Sequence, residues 1–141
     1  MDLDFALLAD GVTARPDGKL DIYGAGWDTI FARDVPAVHA RLVLAVRLLL
    51  SRNEAEHRHR LEVIIQGADG AEIGRAVGDL DAAAPEARAQ IPPGRQAGLG
   101  MVMTFENLVF PAFGNYQIVV QWDGNEARPP LRLIVSPPPE Q

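Results

Sequence analysis

The chain has 141 residues, the size of one ordinary domain, long enough to bury a core without a disulfide or a structural metal. It contains no cysteine, which excludes disulfide frameworks, thiolate metal sites and cysteine nucleophiles together. With 13 basic against 19 acidic residues the net charge is −6, which argues against nucleic acid and against anionic membrane surfaces as partners. Lys19 is the only lysine, and the preference for arginine points to a GC-rich bacterial genome.

The opening Met1-Asp2-Leu3-Asp4 carries carboxylates where a signal peptide needs positive charge, and the apolar run behind it is too short to span a bilayer, so a cytoplasmic location is expected. Leu3, Phe5, Leu7 and Ala9 recur at period two and predict a first strand with that face buried. Asp17-Gly18 turns the chain, and Leu20, Ile22 and Tyr23 return from it as a hairpin. Gly24 and Gly26 interrupt this second strand before 27–31 and mark a bulge or a close backbone approach rather than a break in the fold.

Residues 41–50 are apolar on both faces, with Leu42, Leu44, Val46, Leu48 and Leu50 on one and Val43, Ala45 and Leu49 between Arg41 and Arg47 on the other. Period alone does not separate strand from helix here, and the β-rich surroundings favour strand. The run 58–67 alternates through Leu61, Val63 and Ile65, and 68–71 turns it into a second hairpin. Residues 79–94 are rich in alanine and proline and predict a crossing between two sheets with one helical turn near 85–90. Alternation resumes at Leu99, Met101, Met103 and Phe105 and again at Tyr116, Ile118, Val120 and Trp122, with Phe110-Pro111 and Gly114-Asn115-Tyr116 forming the corner between them. Asp123-Gly124-Asn125 signals a third hairpin, returning through Leu131, Leu133 and Val135.

The expected architecture is all-β: an antiparallel, immunoglobulin-like (Greek-key) β-sandwich of about eight strands in one domain, 1–135, followed by a flexible proline-rich tail, 136–141. Gly114 and Tyr116 are expected to act structurally, because Gly-x-Tyr entering an alternating strand resembles the tyrosine corner, where the phenol binds backbone a few residues upstream.

Chemistry-bearing groups are sparse. His57 and His59, two apart on an expected strand, share a face there and form with Glu62 the candidate for a metal site. The spacing departs from the cupin metal motif, and a solvated loop running into a strand explains the same residues. Asp10, Asp28, Asp69, Asp79, Asp81 and Asp123 lie mostly at predicted turns, where several could meet around calcium, although turn chemistry accounts for each alone. Gly24-Ala25-Gly26 has Thr29 where a dinucleotide fingerprint needs its third glycine. The two serines, Ser51 and Ser136, lie outside any nucleophile elbow. Trp27 and Asp28, beside two glycines, form the candidate ligand loop. No enzyme activity, cofactor or resident metal is expected.

The segments 3–10, 18–30 and 110–116, with their Leu-Asp-Phe-Ala-Leu-Leu-Ala-Asp opening, Gly-Trp-Asp run and Phe-Pro to Gly-x-Tyr corner, resemble a family of uncharacterised bacterial proteins of about this length. The resemblance implies a stand-alone protein and transfers no site residue. The expected function is a non-enzymatic interaction or structural module that self-associates as a homodimer, with Arg41, Val43, Ala45, Arg47 and Leu49 as the interface. The alternative is a β-sandwich that binds a small ligand or a metal.

Overall fold

The computed structural model describes residues 1–140; Gln141, the end of the expected tail, lies outside them. The chain is all-β. In order come β1 (Asp2–Ala9), β2 (Gly11–Ala14), β3 (Leu20–Tyr23), β4 (Thr29–Phe31), β5 (Ala37–Ser51), β6 (His59–Gly67), β7 (Glu72–Leu80), β8 (Gln96–Phe110), β9 (Gly114–Trp122), β10 (Asn125–Glu126) and β11 (Leu131–Ser136). A 3₁₀ turn (Glu54–Glu56) joins β5 to β6, and a single short helix, α1 (Pro85–Ala89), joins β7 to β8. The three-stranded sheet β1-β5-β8 faces a larger one ordered β4-β11-β9-β6-β7, with β10 added to β9, and β2-β3 form a separate hairpin. These eleven strands exceed the eight expected because β2 and β10 are too short for periodicity to resolve, and because the second strand, expected to run through Gly24 and Gly26, breaks there into β3 and β4, which join different sheets. The strands are antiparallel except for β4 and β11, which pair in parallel through Thr29–Ile134 and Ile30–Val135.

The core lies between the two sheets, where Leu42, Leu44, Val46 and Leu48 of β5 meet Leu61, Val63 and Ile65 of β6 and Ile118 and Val120 of β9. Burying such aliphatic side chains supplies roughly 1.5–3 kcal/mol each, the main term holding the sheets together. On β1 the expected inward face is corrected. The register shifts between Leu3 and Phe5, so Leu3, Ala6 and Leu8 pack on the core while Phe5, Leu7 and Ala9 turn to the opposite face. Asn107, at φ 53°, reverses the alternation of β8 in the same way, so that Phe105, Leu108 and Phe110 are all buried.

The second face of β5 is covered by the chain itself. The β2-β3 hairpin lies across it, with Leu20 filling the space in which Gly100 of β8 has no side chain. Val43 and Ala45 are consequently 1% and 0% exposed. Two of the five residues expected at a dimer interface are therefore interior; Arg41 remains exposed, and Arg47 and Leu49 half-buried.

Glycines also set the spacing where the sheets meet. Gly74 and Gly78 of β7 present bare backbone to Leu108 and to Met101 and Met103 of β8, and a Cβ at either position would overlap those side chains. The expected turns are all present: Gly18, Gly70 and Gly124 take positive φ in the three loops assigned to them. The tail is shortened by one residue, since Ser136 still pairs with Phe31.

Candidate functional site

The histidine pair does not form a ligand set. β6 begins at His59, so His57 lies before the strand and is exposed, while His59 is the first inward residue and is buried. Its Nδ1 lies 2.5 Å from Asp123 Oδ2 and its Nε2 lies 2.6 Å from the carbonyl oxygen of Glu54, so both ring nitrogens face acceptors of the chain's own loops. Glu62, at odd spacing from His59, points to the opposite face of the sheet, where Arg75 and Arg60 hold its carboxylate. Arg75 also bonds Glu72 and holds that carboxyl below the usual glutamate range. Among the described residues no three histidine or carboxylate side chains converge on one point.

Glu54 ties this end of the molecule together. Its carboxylate accepts the Ser51 N–H at 2.9 Å while Ser51 Oγ accepts the Glu54 N–H at 3.1 Å, the reciprocal bonding of a capping box around the 3₁₀ turn. The other carboxylate oxygen pairs with the Met1 ammonium, and the Met1 carbonyl accepts the indole N–H of Trp122 at 3.0 Å. Met1, Glu54, His59 and Asp123 thus form one chain of polar contacts across both sheets.

Trp27, half-buried in the loop between β3 and β4, packs on the core, and its buried Nε1 has no hydrogen-bond partner among the described residues. Asp28 is a clamp between β4 and β11. Its Oδ2 accepts from Arg132 Nη2 at 2.6 Å and its Oδ1 from the Thr29 hydroxyl at 2.8 Å, while its carbonyl accepts the Ile134 N–H at 2.8 Å. Arg132 first, then Thr29, holds the Asp28 carboxyl below the ordinary aspartate range. The glycines preceding it make the expected close approach: Gly24, at φ 59°, leaves room for the Asp10 carboxylate, which a Cβ would meet at 2.1 Å.

The other acidic residues also go separate ways. Asp81 pairs with Arg58 at 3.0 Å, and Asp69 accepts the Ala71 N–H in its turn. A cleft of about 500 Å³ opens beside the β9-β10 turn between Arg60, Glu62, Asp123 and Arg128. Its guanidinium groups are already paired, Arg60 with Glu62 and Arg128 with Glu126, both at 3.1 Å. An apolar recess of about 180 Å³ lies between the sheets, lined by Leu3, Ala6, Ile118 and Leu131.

At the β8-β9 corner the Tyr116 hydroxyl donates to the Ala112 carbonyl at 2.6 Å and accepts the Ala112 N–H at 3.2 Å, with Gly114 at φ 129° shaping the approach. Sequence reasoning located this bond because its two ends are four residues apart. It missed Arg132 as partner of Asp28 and Asp123 as partner of His59, which lie 104 and 64 residues away and carry no local signal.

The molecule is thus an all-β protein whose polar side chains largely join its own loops and strands. Its sequence matches the model of a family of unknown function, DUF6941, over residues 4–134, and the chain belongs to that family. No curated protein matches it. No helix among the described residues is long and apolar enough to cross a membrane.

Proposed function

We propose that the chain is a non-enzymatic interaction module built on an immunoglobulin-like Greek-key sandwich, and that it associates with a second copy of itself in the bacterial cytoplasm. The strand orders β1-β5-β8 and β4-β11-β9-β6-β7, with a parallel β4-β11 edge and a tyrosine bond at the β8-β9 corner, support the sandwich assignment. The observation that carries the interaction reading is the division of the polar groups. His59, Asp28, Glu62 and Asp81 are each engaged by a partner within the chain, whereas β8, fifteen residues long, is hydrogen-bonded along one edge only. A group committed to an internal bond must lose that bond before it can act on a substrate. An open strand edge is a ready template for another strand.

Native mass spectrometry of the full chain tests this reading. A dimer without added mass is the expected result. A monomer carrying a reproducible extra mass overturns it in favour of a small-ligand protein, with the cleft at Arg60 and Arg128 as the place to look.

A further inference from the structure

Self-association, if it uses a sheet edge, has few edges to choose from. β1 carries exposed Asp2 and Asp4 and the register shift at Leu3 and Phe5, three devices that discourage pairing. β4 and β10 have three and two residues. β7 bears Glu72, Arg75 and Asp79 along its length. β8 carries Glu106 and the reversal at Asn107 only near its end, and β7 packs on its inward side chains; from Gln96 to Phe105 it holds no charged residue and keeps a regular register, and Gly98, Leu99 and Thr104 are exposed.

We propose that β8 is the dimer interface, pairing antiparallel with β8 of a second copy about a two-fold axis at Met101. The proposal rests on the self-association reading above and adds the surface. A two-fold normal to the sheet keeps each side chain on its own face, as an isologous contact requires. In that register β-branched Val102 and Thr104 stand opposite Gly100 and Gly98 of the second copy, over which that copy's Leu20 and Arg47 lie, and Leu99 stands opposite its Met103. The charges flanking the uncharged run are opposite in sign. Glu106 falls opposite Gln96 of the second copy, one residue from its Arg95, and the contact repeats at the other end. Both side chains are exposed, and neither joins an ion pair among the described residues, although Glu106 faces Arg41 across the β5-β8 ladder. The product is a continuous six-stranded sheet, β1-β5-β8 joined to its copy, with main-chain bonds as the source of affinity.

The test is sedimentation velocity of the full chain over about a hundredfold range of concentration. The wild type is expected to dimerise. Thr104→Lys places an ammonium on the edge opposite Gly98 of the second copy, where that copy's Arg47 guanidinium lies, and Arg95→Glu sets a carboxylate near Glu106 of the second copy; each should raise the dissociation constant at least about tenfold while circular dichroism stays native. Arg95→Glu with Glu106→Arg should recover the dimer, and Leu49→Glu, on the face of β5, should leave it intact. Because the chain has no cysteine, Met101→Cys supplies a single thiol at the axis, and oxidation should link two copies through it.

A dimer that survives both Thr104→Lys and Arg95→Glu, or that fails to cross-link through Met101→Cys, overturns the β8 interface while leaving self-association standing. A wild type that is monomeric throughout overturns both. Should Thr104→Lys fail to fold, Arg95→Glu, on an exposed turn, and the cross-link decide the matter.

Discussion

His59 at the start of β6 and Asp123 in the β9-β10 turn, 64 residues apart, meet at 2.5 Å, and through the Glu54 carbonyl on its other side the imidazole fastens two loops to one end of the sheets. Asp123 holds φ at 45°, a left-handed conformation that asparagine and aspartate tolerate better than most residues. Asp123→Ala removes the acceptor from a buried ring nitrogen and leaves an unfavourable backbone conformation. The expected loss is about 1–3 kcal/mol by urea denaturation. Asp123→Asn keeps an oxygen and the backbone tolerance, so it should lose clearly less than the alanine variant.

Tyr116→Phe isolates one hydroxyl. The ring packs edge-on against Phe110, with centroids 5.0 Å apart at 83°, and that contact survives the change. What disappears is the pair of bonds to Ala112. A cost of about 1 kcal/mol or more is expected, with the oligomeric state unaltered because the corner is architectural. Equal stabilities of the two proteins would contradict the role assigned to the hydroxyl.

Asp28 makes stability depend on pH in a defined direction. Arg132 and Thr29 depress its folded pKa, so its contribution is present above the unfolded value and is lost as pH falls through the folded one. Arg132→Gln removes the chief cause. The gap in denaturation midpoint between wild type and Arg132→Gln should be constant above about pH 5 and should close as pH drops below the ordinary aspartate value of about 3.9. Because the pair is exposed, high salt should narrow the gap at neutral pH as well.

The pattern of these contacts explains what the sequence could disclose. Leu61, Val63 and Ile65 revealed β6 because polar residues alternate with most of them, and Tyr116 revealed its own bond because Ala112 is local. β1 was misread because the register shift at Leu3 and Phe5 reverses the face without changing the apolar spacing. Residues 41–50 disclosed a strand apolar on both faces, but the second face reads from sequence as a dimer surface because its actual cover is a hairpin whose docking depends on Leu20 meeting Gly100, eighty positions away. The same holds for the candidate site. His57, His59 and Glu62 are neighbours in the chain, yet the strand begins between the two histidines and its pleat sends His59 and Glu62 to opposite faces.

Gly24 offers a test of strain combined with crowding. At φ 59° an alanine costs about 1–2 kcal/mol in backbone strain alone, and here it would also drive out the Asp10 carboxylate. Gly24→Ala should therefore destabilise by more than the strain term. In an Asp10→Ala background the crowding is gone and only the strain should remain. The double-mutant cycle is expected to show non-additivity of the sign that rescue requires, measured by thermal or urea unfolding.

The hairpin that covers β5 should be separable from the core by its local stability. Gly100→Val inserts a side chain where Leu20 now lies, 2.7 Å from the position of the missing Cβ, and so lifts β3 from the sheet without touching the contacts between the two sheets. Hydrogen exchange should accelerate across β2 and β3 and at the newly uncovered Val43 and Ala45, while the amides of β6 and β9 keep their protection. A uniform acceleration throughout the chain would mean instead that the hairpin and the core unfold as one cooperative unit, and that the cover over β5 is as integral to the fold as the sheets it protects.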